Sequence, residues 1–174
     1  MIRALAAHVY TGFPHMKVST LRALSPADGR YSDKVEGLRD LFSEYGLIRY
    51  RVLVEVRWLQ WLSDQPGIAE LPPLSSVMKG VLNNLVDNFS LDDAERIKAI
   101  EATTNHDVKA VEYFIREKVR NGPETRVVRD FLHFACTSED INNLSYALIL
   151  RSARSEALVP VMRDLRIQLR SLAH

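Results

Sequence analysis

Over residues 74–89, Leu74, Val77, Met78, Val81, Leu82, Leu85, Val86 and Phe89 recur at the 3.6-residue spacing of a helix without a miss. A strand would need its apolar positions to alternate instead. We expect this stretch to be a core helix. The same period returns over residues 43–65, where Ile48, Val52, Val56, Leu59 and Leu62 line one face and Trp58 and Trp61 widen it. It returns again at Leu91, Ala94, Ile97 and Ile100, and at Val108, Val111 and Ile115. No strand-like alternation reaches useful length, so the expected class is all-α.

Turn and cap residues set the expected boundaries. Gln65-Pro66-Gly67 ends one helix and Pro72-Pro73 opens the next. Ser90 is an N-cap, with Asp92 and Asp93 in the first turn. Asn121-Gly122-Pro123 stops the helix that begins near residue 107. A short helix then covers residues 124–135. From Ser138 to His174 the pattern is one long helix, kinked near Pro160. Leu158, Met162, Leu165, Leu169 and Leu172 form a bundle seam there, with no partner helix in the chain. That points to an oligomer, a truncated chain, or both. Arg49, Arg51 and Arg57 fall mostly off the apolar stripe of their helix. We expect a solvated face, or pairing with Glu55 and its neighbours.

Lys plus Arg number 23 against 22 for Asp plus Glu, so no net charge favours nucleic acid or an anionic membrane as partner. A polyanionic small ligand needs only local charge. The single cysteine, Cys136, excludes an internal disulfide, and no Cys/His set has the spacing of a zinc site. Cys136 itself reads as a buried thiol without chemistry. Cysteine usage points to a reducing, cytoplasmic compartment, and no apolar run approaches the roughly 20 residues of a membrane span. Residues 1–20 read as an extension expected to be disordered, with Met16 as an alternative start.

Polar residues gather at two predicted helix starts. The first is Thr103-Thr104-Asn105-His106-Asp107-Val108-Lys109. It reads in two ways. As a capped helix, Thr104 or Asn105 is the N-cap, Asp107 complements the dipole and His106 is a bystander. As a ligand site, free N–H groups and these side chains bind an anionic or polyfunctional molecule. The second is His133-Phe134-Ala135-Cys136-Thr137-Ser138-Glu139-Asp140, with Thr137 or Ser138 as N-cap. Both His106 and His133 are placed where a helix dipole favours the neutral ring. For His133, packing beneath the following helix is the competing reading. A third stretch, Ser25-Pro26-Ala27-Asp28-Gly29-Arg30-Tyr31, is a turn-rich loop. Its Arg30-Tyr31 pair is either surface and packing or a phosphate contact, since the arginine fork can hold two oxygens.

Together and in this order, these three stretches resemble the adenylosuccinate lyases of the fumarase/aspartase superfamily, the bacterial type most closely. The resemblance runs over residues 21–174. It implies an N-terminal helical domain over residues 21–123 and the start of a central helical bundle over residues 124–174. It implies elimination of fumarate from adenylosuccinate, giving AMP, and from succinylaminoimidazole carboxamide ribotide. No metal or organic cofactor is implied. Homotetramers are, with each active site shared by three subunits. Carried over by position, Arg30 and Tyr31 match the nucleotide-contacting pair. Asn105, His106 and Asp107 match the substrate-binding motif, and Thr137 and Ser138 match the pair on the fumaryl part. His133 matches a histidine near the site.

The family's catalytic histidine and serine belong to segments that would follow His174. The resemblance therefore implies no catalytic residue in this chain, a partial substrate site and no turnover by the chain alone. A sibling fumarate-releasing lyase and a non-catalytic helical oligomerisation module are the competing readings.

Overall fold

A computed structural model describes residues 23–120 and 124–173. The expected extension over residues 1–20 and the expected stop at Asn121-Gly122-Pro123 lie outside the described residues. The chain divides into two units, residues 1–37 and 38–174. In the first, the loop around Ser25 is built from turns, as expected. The Gly29 N–H donates to the Ser25 carbonyl at 3.1 Å and the Tyr31 N–H to the Pro26 carbonyl at 2.8 Å. Both Arg30 and Tyr31 are exposed, and the Arg30 guanidinium lies 5.3 Å from the Tyr31 ring centroid.

The regular elements among the second unit's described residues are all helices: α1 (Arg39–Phe42), α2 (Glu44–Ser63), α3 (Ser76–Asp87), α4 (Leu91–Thr104), α5 (Asp107–Lys118), α6 (Thr125–Phe131), α7 (Ser138–Ser152) and α8 (Val159–Leu172). Ser43 separates α1 from α2. Its extended backbone ends one helix, and its hydroxyl accepts the Gly46 N–H to begin the other. Only glycine fits at position 46, because a Cβ there would stand 2.6 Å from the Leu41 carbonyl oxygen.

α2 is the axis of this unit. Ile48, Val52, Val56 and Leu59 are buried in one large core with residues of α3, α4 and α5. Tyr50 faces Leu41 and Ile149, and Val54 faces Val108 and Ile141. A helix apolar on nearly every side is surrounded by protein. Arg51, expected on a solvated face or paired with Glu55, is consequently buried, and so is Glu55. Only Arg57 of the group remains exposed, where it donates to Gln60 and Asn83.

The stripe over residues 74–89 is broader than the surface it meets. Met78, Leu82 and Leu85 are buried, whereas Val77 and Val81 are 76% and 40% exposed. α3 is thus a one-sided helix, not core throughout. α4 begins as expected with a capping box between Ser90 and Asp93. α6 ends at Phe131, four residues earlier than expected, because the following residues are drawn onto α2. The long C-terminal helix contains a π-helical segment, Ala153–Leu158, just ahead of Pro160. α8 then starts with Pro160 in its first turn, where a missing N–H costs nothing. Leu158, Met162, Leu165, Leu169 and Leu172 are all exposed, so the expected seam has no partner among the described residues.

Phe114 shows how tightly the α2–α5 core is packed. It is fully buried and meets the Phe89 ring edge-on at 6.1 Å. Phe114→Ala should lower unfolding stability by about 3–5 kcal/mol in urea titrations. A loss below about 1 kcal/mol would contradict the packing described.

Candidate functional site

The starts of α5 and α7 meet over α2. Val108, one residue into α5, packs with Ile141, three residues into α7, and with Val54 of α2. Above this apolar floor lies Arg51. Its Nη2 donates to Asp107 Oδ2 at 2.6 Å and its Nε to Asn142 Oδ1 at 2.9 Å. One guanidinium therefore fastens the first residue of α5 to the first turns of α7. Asn142 in turn donates to Glu139 at 3.3 Å. Burial pushes the Asp107 carboxyl up, but the Val108 N–H and then Arg51 outweigh it and hold the carboxyl below its ordinary value.

His106 is not a bystander. It is the N-cap of α5, and its Nδ1 accepts the Lys109 N–H at 3.1 Å. Thr104 ends α4, and Asn105 is that helix's C-cap. Asn105 turns the chain with φ 52, a left-handed conformation that asparagine tolerates better than most residues. Neither is the N-cap that the sequence suggested. The cap also settles the histidine tautomer. An accepting Nδ1 carries no proton, so the hydrogen is on Nε2, and the side chain is half exposed. His106 thus presents an N–H donor outward from a helix start.

At α7, Thr137 is the N-cap, in a capping box with Asp140, and Ser138 is the first helical residue. The Thr137 N–H donates to Asp140 Oδ2 at 2.7 Å, and that bond holds the Asp140 carboxyl below its usual range. The segment before it is strained. His133 and Ala135 have φ of 61 and 59, uncommon for residues with a Cβ. Two bonds to α2 hold this backbone in place. Trp58 Nε1 donates to the Phe134 carbonyl at 2.8 Å, and His133 Nδ1 lies 2.6 Å from Glu55 Oε1. Cys136 is half buried beside the Val54 cluster, and burial pushes its thiol up.

The Glu55 pair overturns one expectation. The helix dipole does not govern His133. The hydrogen bond to Glu55 raises its pKa above the usual 6.5, despite the opposing effect of burial. The charges of Glu55 and Glu112 add to the rise, and Lys109 subtracts from it. Glu112 is itself buried and held by Lys109 at 2.6 Å and Arg116 at 2.5 Å. Glu55 Oε2 is buried with no partner among the described residues.

Asn105, His106, Asp107, Thr137, Ser138 and His133 are therefore gathered around the two helix starts. Arg30 and Tyr31 lie in the other unit. Arg51, Glu55 and Trp58 were missed as parts of this cluster. Arg51 and Glu55 are four apart on α2, and the apolar residues flanking them on both sides were the available signal. No group of three or more His, Cys, Asp or Glu among the described residues could hold a metal ion. Among them, too, no helix is long and apolar enough to cross a membrane.

The raised pKa of His133 makes part of the stability pH-dependent. The paired imidazolium stabilises fully below the unfolded value near 6.5, and the contribution drains away as pH rises through the higher folded value. Glu55→Gln should bring the His133 titration, followed by NMR of the ring, down to 6.5 or lower and remove that component. An unchanged titration would contradict the pairing.

A family model described as lyase matches residues 29–174. The chain is 56% identical over 158 residues to the adenylosuccinate lyase of Escherichia coli (strain K12), which covers 91% of this chain and 35% of that enzyme. The same identity and coverage hold for the adenylosuccinate lyase of Haemophilus influenzae. For that of Legionella pneumophila (strain Corby) the identity is 42% over 150 residues, covering 86% of the chain and 33% of the enzyme. The chain spans about a third of the length of these curated relatives. With the match extending over most of its residues and an all-helical fold, this chain belongs to the lyase family.

Proposed function

We propose that this chain is the N-terminal part of an adenylosuccinate lyase. The reaction releases fumarate from adenylosuccinate, leaving AMP, and from succinylaminoimidazole carboxamide ribotide in purine biosynthesis. The observation that carries the reading is the junction of Asn105-His106-Asp107 with Thr137-Ser138. Two helix N-termini converge there, and the exposed His106 and Asn105 side chains beside them offer donors to a substrate bearing carboxylates and a phosphate.

Each residue then has a role set by its chemistry. His106 donates Nε2–H to a substrate oxygen while its Nδ1 remains committed to the helix. It positions substrate and moves no proton. Asn105, turned outward by its left-handed backbone, offers amide donors and an acceptor. Asp107 is held ionised against Arg51, so it accepts from substrate hydroxyl or amino groups. Thr137 and Ser138 bind the fumaryl part. Arg30 and Tyr31 contact the nucleotide, and His133 contributes charge near it. In the elimination, a base takes the proton from the carbon beside a carboxylate. The electron pair becomes the fumarate double bond as the carbon–nitrogen bond breaks, and an acid protonates the departing nitrogen. That acid and base belong to other segments of the full-length protein, so the chain alone is inactive. No cofactor takes part.

The exposed seam of α8 supports a bundle of subunits, and we place the protein as a cytoplasmic homotetramer. Residues 21–123 form its N-terminal domain and residues 124–174 begin its central bundle.

Two substitutions at His106 separate its two duties. In the full-length protein, His106→Ala should lower kcat/KM for adenylosuccinate at least tenfold and also cost about 1 kcal/mol of stability through the lost cap. His106→Asn keeps a capping oxygen, so it should restore the melting temperature without restoring kcat/KM. Full activity in either variant would remove His106 from the site. Normal turnover by the 174-residue chain alone would refute the assignment of acid and base to other segments.

A further inference from the structure

We propose that the cavity where α4, α5 and α6 meet is a binding site for a small oxyanion carrying two or more charges, gripped chiefly by Arg120 and Arg129. The cavity has a volume of about 490 Å³ and is lined by Arg96, Arg116, Arg120, Arg129, Tyr113 and Glu117, among others. That volume suits a small ligand.

The charges do not cancel within the protein. Arg96 grips Glu117 with both arms, Nε at 3.0 Å and Nη2 at 2.6 Å. Arg116 is paired with Glu112 from outside the cavity, and Lys109 shares that same carboxylate. Arg120 and Arg129 form no ion pair among the described residues, and both are exposed. Arg120 feels Glu117 only at longer range.

Arginines at helix ends can simply complement the dipole, so magnitudes must decide. The final turns of α4 and α5 both border the cavity. Each helix end carries roughly half a negative charge, about one unit together. Glu117 adds one more, which Arg96 already neutralises. Two guanidiniums against about one unit leave a positive surplus. Arg116 Nε is also buried without a partner, an unused donor next to the cavity. Donors thus outnumber acceptors, and the planar forks fit phosphate or carboxylate oxygens two at a time.

Pyrophosphate and citrate serve as probes of the shared chemistry. Each is titrated into the 174-residue chain at constant ionic strength, following arginine Nε–H signals and the Tyr113 ring by NMR. Saturable shifts at Arg120 and Arg129 are expected. Arg120→Gln/Arg129→Gln should weaken binding at least tenfold with an unchanged melting temperature, since both side chains are exposed. Tighter pyrophosphate binding identifies a phosphate ester as the ligand type, and tighter citrate binding a polycarboxylate. The proposal is overturned by shifts that fail to saturate, by shifts that sodium chloride reproduces, or by equal affinity in the double variant.

Discussion

The buried guanidinium of Arg51 is the tie on which the candidate site depends. α2 carries it between two helix starts distant in sequence, and its two bonds run to Asp107 and Asn142. A charge that is 7% exposed is costly unless satisfied, so the ends of α5 and α7 are held wherever this guanidinium needs them. Val54, Val108 and Ile141 supply the apolar contact beneath. The polar bonds give that contact its register.

One turn further along α2, Glu55 does the same for the segment leading into α7. It is fully buried, and its bond to His133 offsets part of the cost of burying a carboxylate. With Trp58 it also holds the two left-handed residues, His133 and Ala135, which cost of order 1–3 kcal/mol each. Strained backbone persists where the surroundings over-determine it. Here the surroundings are one face of one helix, carrying Arg51, Glu55 and Trp58.

Much of this is legible in the sequence. Periodicity located α2 through α5, because each buries a stripe and the caps at Ser90 and Thr137 are local chemistry. The polar stretches at residues 103–109 and 133–140 were visible as clusters. The burial of Arg51 and Glu55 was not, since it follows from tertiary neighbours on every side of α2. Nor was the division of labour at residues 104–106. There Asn105 ends one helix and His106 begins the next, and cap statistics favour the threonine or asparagine for that start. The early end of α6 was equally hidden, because it follows from bonds to α2 some 76–78 residues away in sequence.

Arg51 is the residue we propose to assemble the candidate substrate wall, through its bonds to Asp107 and Asn142. The direct measurement is kcat/KM for adenylosuccinate in the full-length protein carrying Arg51→Met, a change that keeps an apolar stem in a buried position. The account predicts a folded protein with kcat/KM at least tenfold below wild type, because Asp107 and Asn142 lose their common partner. Wild-type kcat/KM in that variant would contradict it.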